Sequence, residues 1–265
     1  MTETTTVTTP ARVPAGVPPR TALWTTYGTL LRWTMAQTGA MLPLIIVVQA
    51  LLAAGVILGF GFLIPGIDTR SAQFLSTGAP TVLLMVMGLV MVPQGVAQSR
   101  TSGTFTYLRA LPVPRALLLL TDLTVWTLVA LPSVLVAVVA ARLRYDFAYS
   151  FDWPMLVAAS VLTAVMAAAV GYAVAVLLPP LLAQLISQVL VFFVLLFSPI
   201  TFPETRLPEW FQSVHDVLPF RPAADLLRAG LLSQTYSAGW REFAVLLAWC
   251  ALGLLISVRA LVRRA

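Results

Sequence analysis

The sequence has no lysine, one cysteine (Cys250), one histidine (His215) and few charges of either sign. Each shortage removes a class of function. Without lysine there is no Walker A loop, whose lysine holds nucleotide phosphates, and no Schiff-base chemistry. One cysteine leaves no intrachain disulfide, and one cysteine with one histidine leaves no Cys/His metal cluster. Asp122 is the only acid well inside an apolar run, so almost no pair is left for acid–base or nucleophilic work. The chain therefore reads as non-catalytic and as binding no cofactor of its own. If ATP drives it, the ATP and its Mg sit on another chain.

What is present is apolar. Hydrophobic residues make up 59% of the chain and charged residues 10%, and the mean hydropathy is +0.92. Several runs approach or exceed the ~20 residues that cross a hydrocarbon core, which implies an all-α polytopic membrane protein. Residues 1–19 are rich in Thr and Pro, lack an apolar core and read as a disordered cytoplasmic tail, not a signal peptide. Residues 20–265 form one six-span domain. In 20–39, Leu23, Trp24, Tyr27, Leu30 and Leu31 follow helical spacing, which predicts an interfacial helix. Six transmembrane helices are expected near residues 41–64, 78–97, 116–141, 154–178, 181–202 and 243–261.

Charge sets the expected orientation. Placing both termini, the loop after the second span and the Pro179-Pro180 turn on one side gives that side nine arginines and one acid; the other side gets seven arginines and eight acids. Both termini are thus expected in the cytoplasm. The net charge of +6 is spread through loops and is not gathered for nucleic acid.

Two polar stretches interrupt the apolar pattern. The first, 98–115, reads QSRTSGTFTYLRALPVPR and carries Arg100, Arg109 and Arg115 with no acid. A short helix is expected between Thr101 and Leu111, capped by Thr101 or Ser102, with Phe105 and Leu108 on one face and Pro112 and Pro114 ending it. A membrane protein pushed from the cytoplasm needs such a handle, although an ordinary loop under the positive-inside rule has the same pattern. The second stretch, 203–232, predicts two short amphipathic helices on the outer side. Pro208 and Glu209 suit the start of the first, and Trp210, Phe211, Val214 and Leu218 share a face. Pro219 breaks the chain, Pro222 suits the second helix and Gly230 its end. These helices lie on or dip into the outer leaflet, or else form a surface loop packed on the span ends.

Within the spans, Gln94 and Gln98 are four apart and share a face, as do Gln184 and Gln188. Amides in hydrocarbon need partners, so the four form either a polar collar at the cytoplasmic mouth or hydrogen-bonded ties between helices. Asp122 lies roughly 10 Å beyond Arg115 along the helix axis and suits a proton relay or a structural hydrogen bond. Phe192, Phe193 and Phe197, with Met85, Met87 and Met91, suit a large apolar solute or plain packing.

In these stretches the chain resembles the permease subunits of type-two-class ABC exporters. That family's loop between spans two and three reads R-E-x-G-T-x-x-x-L and then Pro-Val-x-R; Arg100, Gly103, Thr104, Leu108, Pro112, Val113 and Arg115 match it, and Thr101 replaces the usual acid. Its outer signature, L-P-x-W and then Leu-Pro…Leu-Arg-Ala, is matched by Leu207, Pro208, Trp210, Leu218, Pro219, Leu227, Arg228 and Ala229. The resemblance implies a multi-pass protein of the bacterial plasma (inner) membrane that binds two ABC ATPase subunits and a second permease chain, most simply as a homodimer, among membrane lipids. It makes 98–115 the coupling loop, with Arg100, Gly103, Thr104, Phe105, Leu108, Arg109, Pro112 and Arg115 at the ATPase contact. It makes 203–232 a re-entrant pair that closes the exit, with Leu207, Pro208, Trp210, Leu218, Pro219 and Arg228 as gate residues. It also puts the pathway between the two permease chains, lined by spans two and five; the residues themselves add Gln94, Gln98, Gln184, Gln188, Phe192, Met91 and Asp122 as candidates for that pathway. The substrate class left by the residues is drug-like or lipid-like. A polysaccharide or glycolipid exporter subunit, or a carrier or channel without ATP, are the alternatives.

Overall fold

Proline and glycine punctuate a chain otherwise composed to be helical, and they mark several of the places where its helices bend or stop. The structure is a computed structural model, and it describes residues 23–63, 69–110, 113–145, 147–202 and 207–263. In chain order the helices are α1 (Leu23–Gly39), α2 (Leu42–Leu63), α3 (Thr69–Val86), α4 (Val92–Thr101), α5 (Thr104–Ala110), α6 (Arg115–Ala130) and α7 (Pro132–Arg144). There follow α8 (Trp153–Leu177), α9 (Pro180–Phe197), α10 (Glu209–Val217), α11 (Phe220–Leu231) and α12 (Trp240–Arg263). The expected tail at 1–19 lies outside the described residues.

Among the described residues six segments are long and apolar enough to cross a membrane: α2, α3 with α4, α6 with α7, α8, α9 and α12. The second begins at Arg70, well before the expected Gly78. Its first turns are polar, which hides them from a hydropathy reading. The helix satisfies them internally: Ser76 donates to the Ala72 carbonyl at 2.6 Å and Thr77 to the Gln73 carbonyl at 2.8 Å.

Between α3 and α4 the chain makes one π-helical turn, Met87–Met91, where the Val92 N–H reaches back to the Met87 carbonyl. Pro93 follows at once and has no N–H to give, so the wider turn absorbs the missing bond. The third span is likewise jointed at Leu131, where Pro132 opens α7.

The core is centred on α8, which packs on α12, α11, α6, α4 and the π turn. Small residues allow this: Ala159, Ala164, Ala167, Ala168, Ala169 and Ala175 are buried along it. Gly171 faces Gly88 so closely that a Cβ on either would strike the other helix's backbone. In contrast, α2 exposes Leu44, Val47, Leu51 and Phe62, and α9 exposes Leu181, Leu185, Val189, Phe192 and Leu196. Faces of that kind suit lipid or another apolar surface.

The two short helices between α9 and α12 differ in burial. In α10, Trp210 is 69% exposed and Val214 is also exposed, while His215 is fully buried. The inward face of α10 is therefore Phe211, His215 and Leu218, a narrower face than the spacing of Trp210 and Val214 suggests. In α11 the side chains from Phe220 to Leu231 are nearly all buried against α3, α8 and α12.

Candidate functional site

The loop between the second and third spans folds as a helix, a reversal and a second helix. Thr101 is the last residue of α4 and its hydroxyl donates to the Gln98 carbonyl at 2.9 Å; Ser102 closes α4 through its N–H to the same carbonyl at 2.9 Å. The expected cap on the loop helix therefore belongs to the end of the preceding span. Gly103 then takes φ +79°, a left-handed conformation suited to glycine, and turns the chain into α5. Thr104 opens α5, and its hydroxyl lies 3.0 Å from that of Ser102. Phe105 is half-buried on the core formed by Val92, Leu119 and Tyr172; Leu108 is half-buried too. Tyr107 is 65% exposed. Pro112 and the Arg109 side chain lie outside the described residues.

The two arginines that bracket α5 both turn inward. Arg100 donates through Nη1 to the carbonyls of Ala175 and Leu178, each at 2.7 Å. Arg115 donates through Nη1 to the carbonyl of Leu261 at 2.7 Å and that of Val262 at 3.4 Å. These carbonyls end α8 and α12, where a helix has unsatisfied acceptors and a partial negative charge. A guanidinium there meets both demands at once.

Near this end of the bundle α4 and α9 run side by side. Gln94, Gln98, Gln184 and Gln188 are all exposed, as is Phe192, and Met91 is half-buried. None of the four amides hydrogen-bonds to another described residue. Asp122 is half-buried on α6. It stands one turn before Trp126, whose ring covers Gly95 of α4 so closely that a Cβ there would lie 2.8 Å from it. Among the described residues Asp122 has no hydrogen-bond or ion-pair partner. Tyr27 of α1 donates to the Thr124 hydroxyl on α6 at 2.8 Å, so the first helix packs on the third span and does not float free.

Deeper in, a cavity of about 360 Å³ opens between α8, α9 and α12. Its walls are wholly apolar: Met85 just before the π turn and Leu89 within it, Met166 and Val170, Val189 and Phe193, and Trp249. Leu218, Pro219 and Phe220 close it above. The expected Met and Phe residues are thus divided. Met85 and Phe193 line the cavity, while Met87 is buried and Phe197 is exposed.

At this far end Leu207 is half-buried, and its carbonyl accepts from Gln212 at 2.8 Å. Pro208 caps α10. Arg228 is buried with its guanidinium 3.6 Å from the Phe74 ring centroid, donating to Asp225 at 2.8 Å and to the Ile200 carbonyl. Arg221 bonds Asp216 and lies 3.5 Å from Asp225, while Arg241 is 3.5 Å from Asp216. Burial lowers the His215 imidazole below its ordinary value of 6.5, opposed by the backbone at Phe197 and aided by the Arg221 charge.

Residues 21–232 match the ABC-2 type transporter family. The chain belongs to that family. No match to a curated protein was found. An ABC-2 type transporter chain is the membrane permease of an ABC system, a family whose permeases in general pair with one another and associate with an ABC ATPase.

Sequence reasoning singled out the two polar stretches, 98–115 and 203–232, but missed several side chains in and around them. The missed ones include Tyr107, which faces out from α5, Phe74 beneath Arg228, and the ion pairs of Asp216, Arg221 and Asp225. For the ion pairs a signal existed: Arg221, Asp225 and Arg228 are spaced four and three apart.

Proposed function

We propose that this chain is the membrane-spanning subunit of an ATP-driven exporter in a bacterial plasma membrane. Two copies would form the pathway for a drug-like or lipid-like apolar substrate, and an ABC ATPase would dock on the 98–115 loop. The observation that carries this is α5, a short helix that half-buries Phe105, exposes Tyr107 and is flanked in the chain by two arginines bonded to the ends of α8 and α12. A braced handle transmits force, whereas a slack loop would not. The arginine excess supports a cytoplasmic side that carries α5, α1 and the end of α12. The apolar cavity beside α9 supports an apolar substrate, because a cavity without polar groups leaves no buried donor or acceptor unpaired when hydrocarbon fills it. Exposed apolar faces on α2 and α9 supply surface for a second copy. The exposed amides of α4 and α9 favour a second reading, a glycolipid or polysaccharide, since amides bond hydroxyl groups.

The test is affinity purification of the tagged chain in mild detergent with its candidate ATPase, followed by ATP hydrolysis. Gly103→Trp is run alongside. Nothing lies within 4 Å of a Cβ built at Gly103, so the indole projects into open space, and the φ of +79° adds strain of about 1–2 kcal/mol. Wild-type protein should co-purify with ATPase activity, and the variant should lose the partner. If no ATP-binding partner appears, the exporter reading is wrong, and the chain should be assayed as a carrier.

A further inference from the structure

We infer that Arg100 and Arg115 are positioning residues that fuse the α5 loop to the ends of α8 and α12, making α8 the rod that carries motion of α5 to the buried α11. The inference rests on the exporter reading above.

It starts from a missing donor. In a continuing helix the Ala175 carbonyl would accept from the N–H of residue 179, but that residue is proline and has none. Pro179 and Pro180 thus leave the last turn of α8 short of donors just where a helix already has unsatisfied carbonyls. Arg100 fills that gap from another span, with both bonds at 2.7 Å. The same substitution of side chain for backbone recurs at α12, where Arg115 takes the Leu261 carbonyl. The two tethers leave α5 from opposite sides, one from the end of α4 and one from the start of α6. Motion of the loop that carries Arg100 or Arg115 with it therefore loads the end of α8 or α12.

The far end of α8 is equally tied. Asp152 N–H donates to the Gly230 carbonyl at 2.9 Å and Ser150 N–H to that of Leu231 at 3.2 Å, while Ser233 N–H returns a bond to the Ser150 carbonyl at 3.0 Å. A Cβ at Gly230 would lie 2.7 Å from the Leu156 Cα, so α11 touches α8 backbone to backbone. Between these ends α8 runs 25 residues, about 37 Å, with its only proline in the first turn. Gly253 of α12 packs on it, with a Cβ there only 2.8 Å from the Ala169 carbonyl carbon. The neighbouring spans are less stiff: one carries the π turn before Pro93 and the other is jointed at Pro132. Displacement of α5 is therefore delivered to α11 through α8.

The experiment uses the full chain with its ATPase, reconstituted in lipid nanodiscs. Cys250→Ala removes the native thiol, and a bimane fluorophore is placed at the exposed Gln234→Cys beside α11. Two quantities are read: ATP hydrolysis, and the change in bimane emission on adding ATP with vanadate. In Arg100→Ala complexes matched to wild type for bound ATPase, the emission change should fall at least about fivefold; Arg100→Lys should restore part of it. Pro179→Ala separates a tether from a simple cap, because it returns an N–H to the end of α8. The pair Arg100→Ala/Pro179→Ala should recover thermal stability without recovering the emission change. If Arg100→Ala is too unstable to assemble, that pair is the variant read. A full emission change in either variant overturns the inference. A wild-type complex that neither hydrolyses ATP nor responds overturns the exporter reading and takes this inference with it.

Discussion

Arginine solves opposite problems at the two ends of the bundle. At the α5 end Arg100 and Arg115 bond to main-chain carbonyls, and no carboxylate takes part in those bonds. At the α11 end Arg221, Arg228 and Arg241 bond to Asp216 and Asp225, and the ion pairs between described residues all lie there. The difference lies in what each end must hold. Helix C-termini offer partial negative charge without a titratable group, so main-chain carbonyls suffice to anchor a guanidinium at the α5 end. The α11 end places a guanidinium where water cannot reach it, and an unpaired charge there would be prohibitive. Arginine serves both roles because its donors are forked and its charge is permanent.

The largest predicted effect follows from that contrast. Arg228→Ala removes a fully buried cation from Asp225, from the Ile200 carbonyl and from the Phe74 ring. It should cost on the order of 3–5 kcal/mol, read as a drop in the thermal unfolding midpoint in detergent. Arg228→Met, which refills the volume, should cost less. Arg100→Ala should cost about 1.5–3 kcal/mol in the same assay, because its charged hydrogen bonds lie at a half-exposed helix end. Equal losses for Arg228→Ala and Arg100→Ala would remove the distinction between the two ends.

What could be seen in the sequence follows the same physics. The six spans were legible because long apolar runs have few other uses. The start of the second span was not, because Ser76 and Thr77 look like loop residues until their hydroxyls are seen bonded to their own helix. The depth of α11 was hidden by Arg221, Asp225 and Arg228, whose charges are paired with one another and with Asp216. The loop helix was legible from its prolines, but its start was not: the expected cap at Thr101 or Ser102 belongs to the preceding span, and the helix opens at Thr104 after the Gly103 turn. The destinations of Arg100 and Arg115 were not, because a main-chain carbonyl leaves no mark in a sequence. Only Pro179, with its missing N–H, hinted that the end of α8 needed a donor from elsewhere.

A smaller change sharpens the reading of the α5 end. Gln94 and Gln188 are exposed and bond to no other described residue, so replacing both with alanine should alter stability by no more than about 0.5 kcal/mol. If the amides face the pathway, export of a fluorescent phospholipid from reconstituted vesicles should fall while the complex keeps its size on gel filtration. Loss of the assembled complex would instead place these amides between two copies of the chain.

The smallest effect is expected in α10, where His215 is fully buried between aromatic rings, 4.7 Å from the Phe211 centroid and 6.1 Å from that of Phe193. Burial holds its imidazole below the ordinary 6.5, so an opened α10 binds a proton more readily than a closed one. The closed state therefore keeps its full stability above the ordinary value. It loses stability as the pH falls below that value and on through the lowered one. Hydrogen exchange across 209–217, corrected for the intrinsic rate, should show protection declining between about pH 7.5 and pH 5, and His215→Phe should flatten the decline. Phe193 also lines the apolar cavity and Leu218 closes it, so the same opening would loosen the cavity's roof. A flat wild-type profile would mean that the ring contacts and the Asp216–Arg221 pair hold α10 closed whatever the charge on His215.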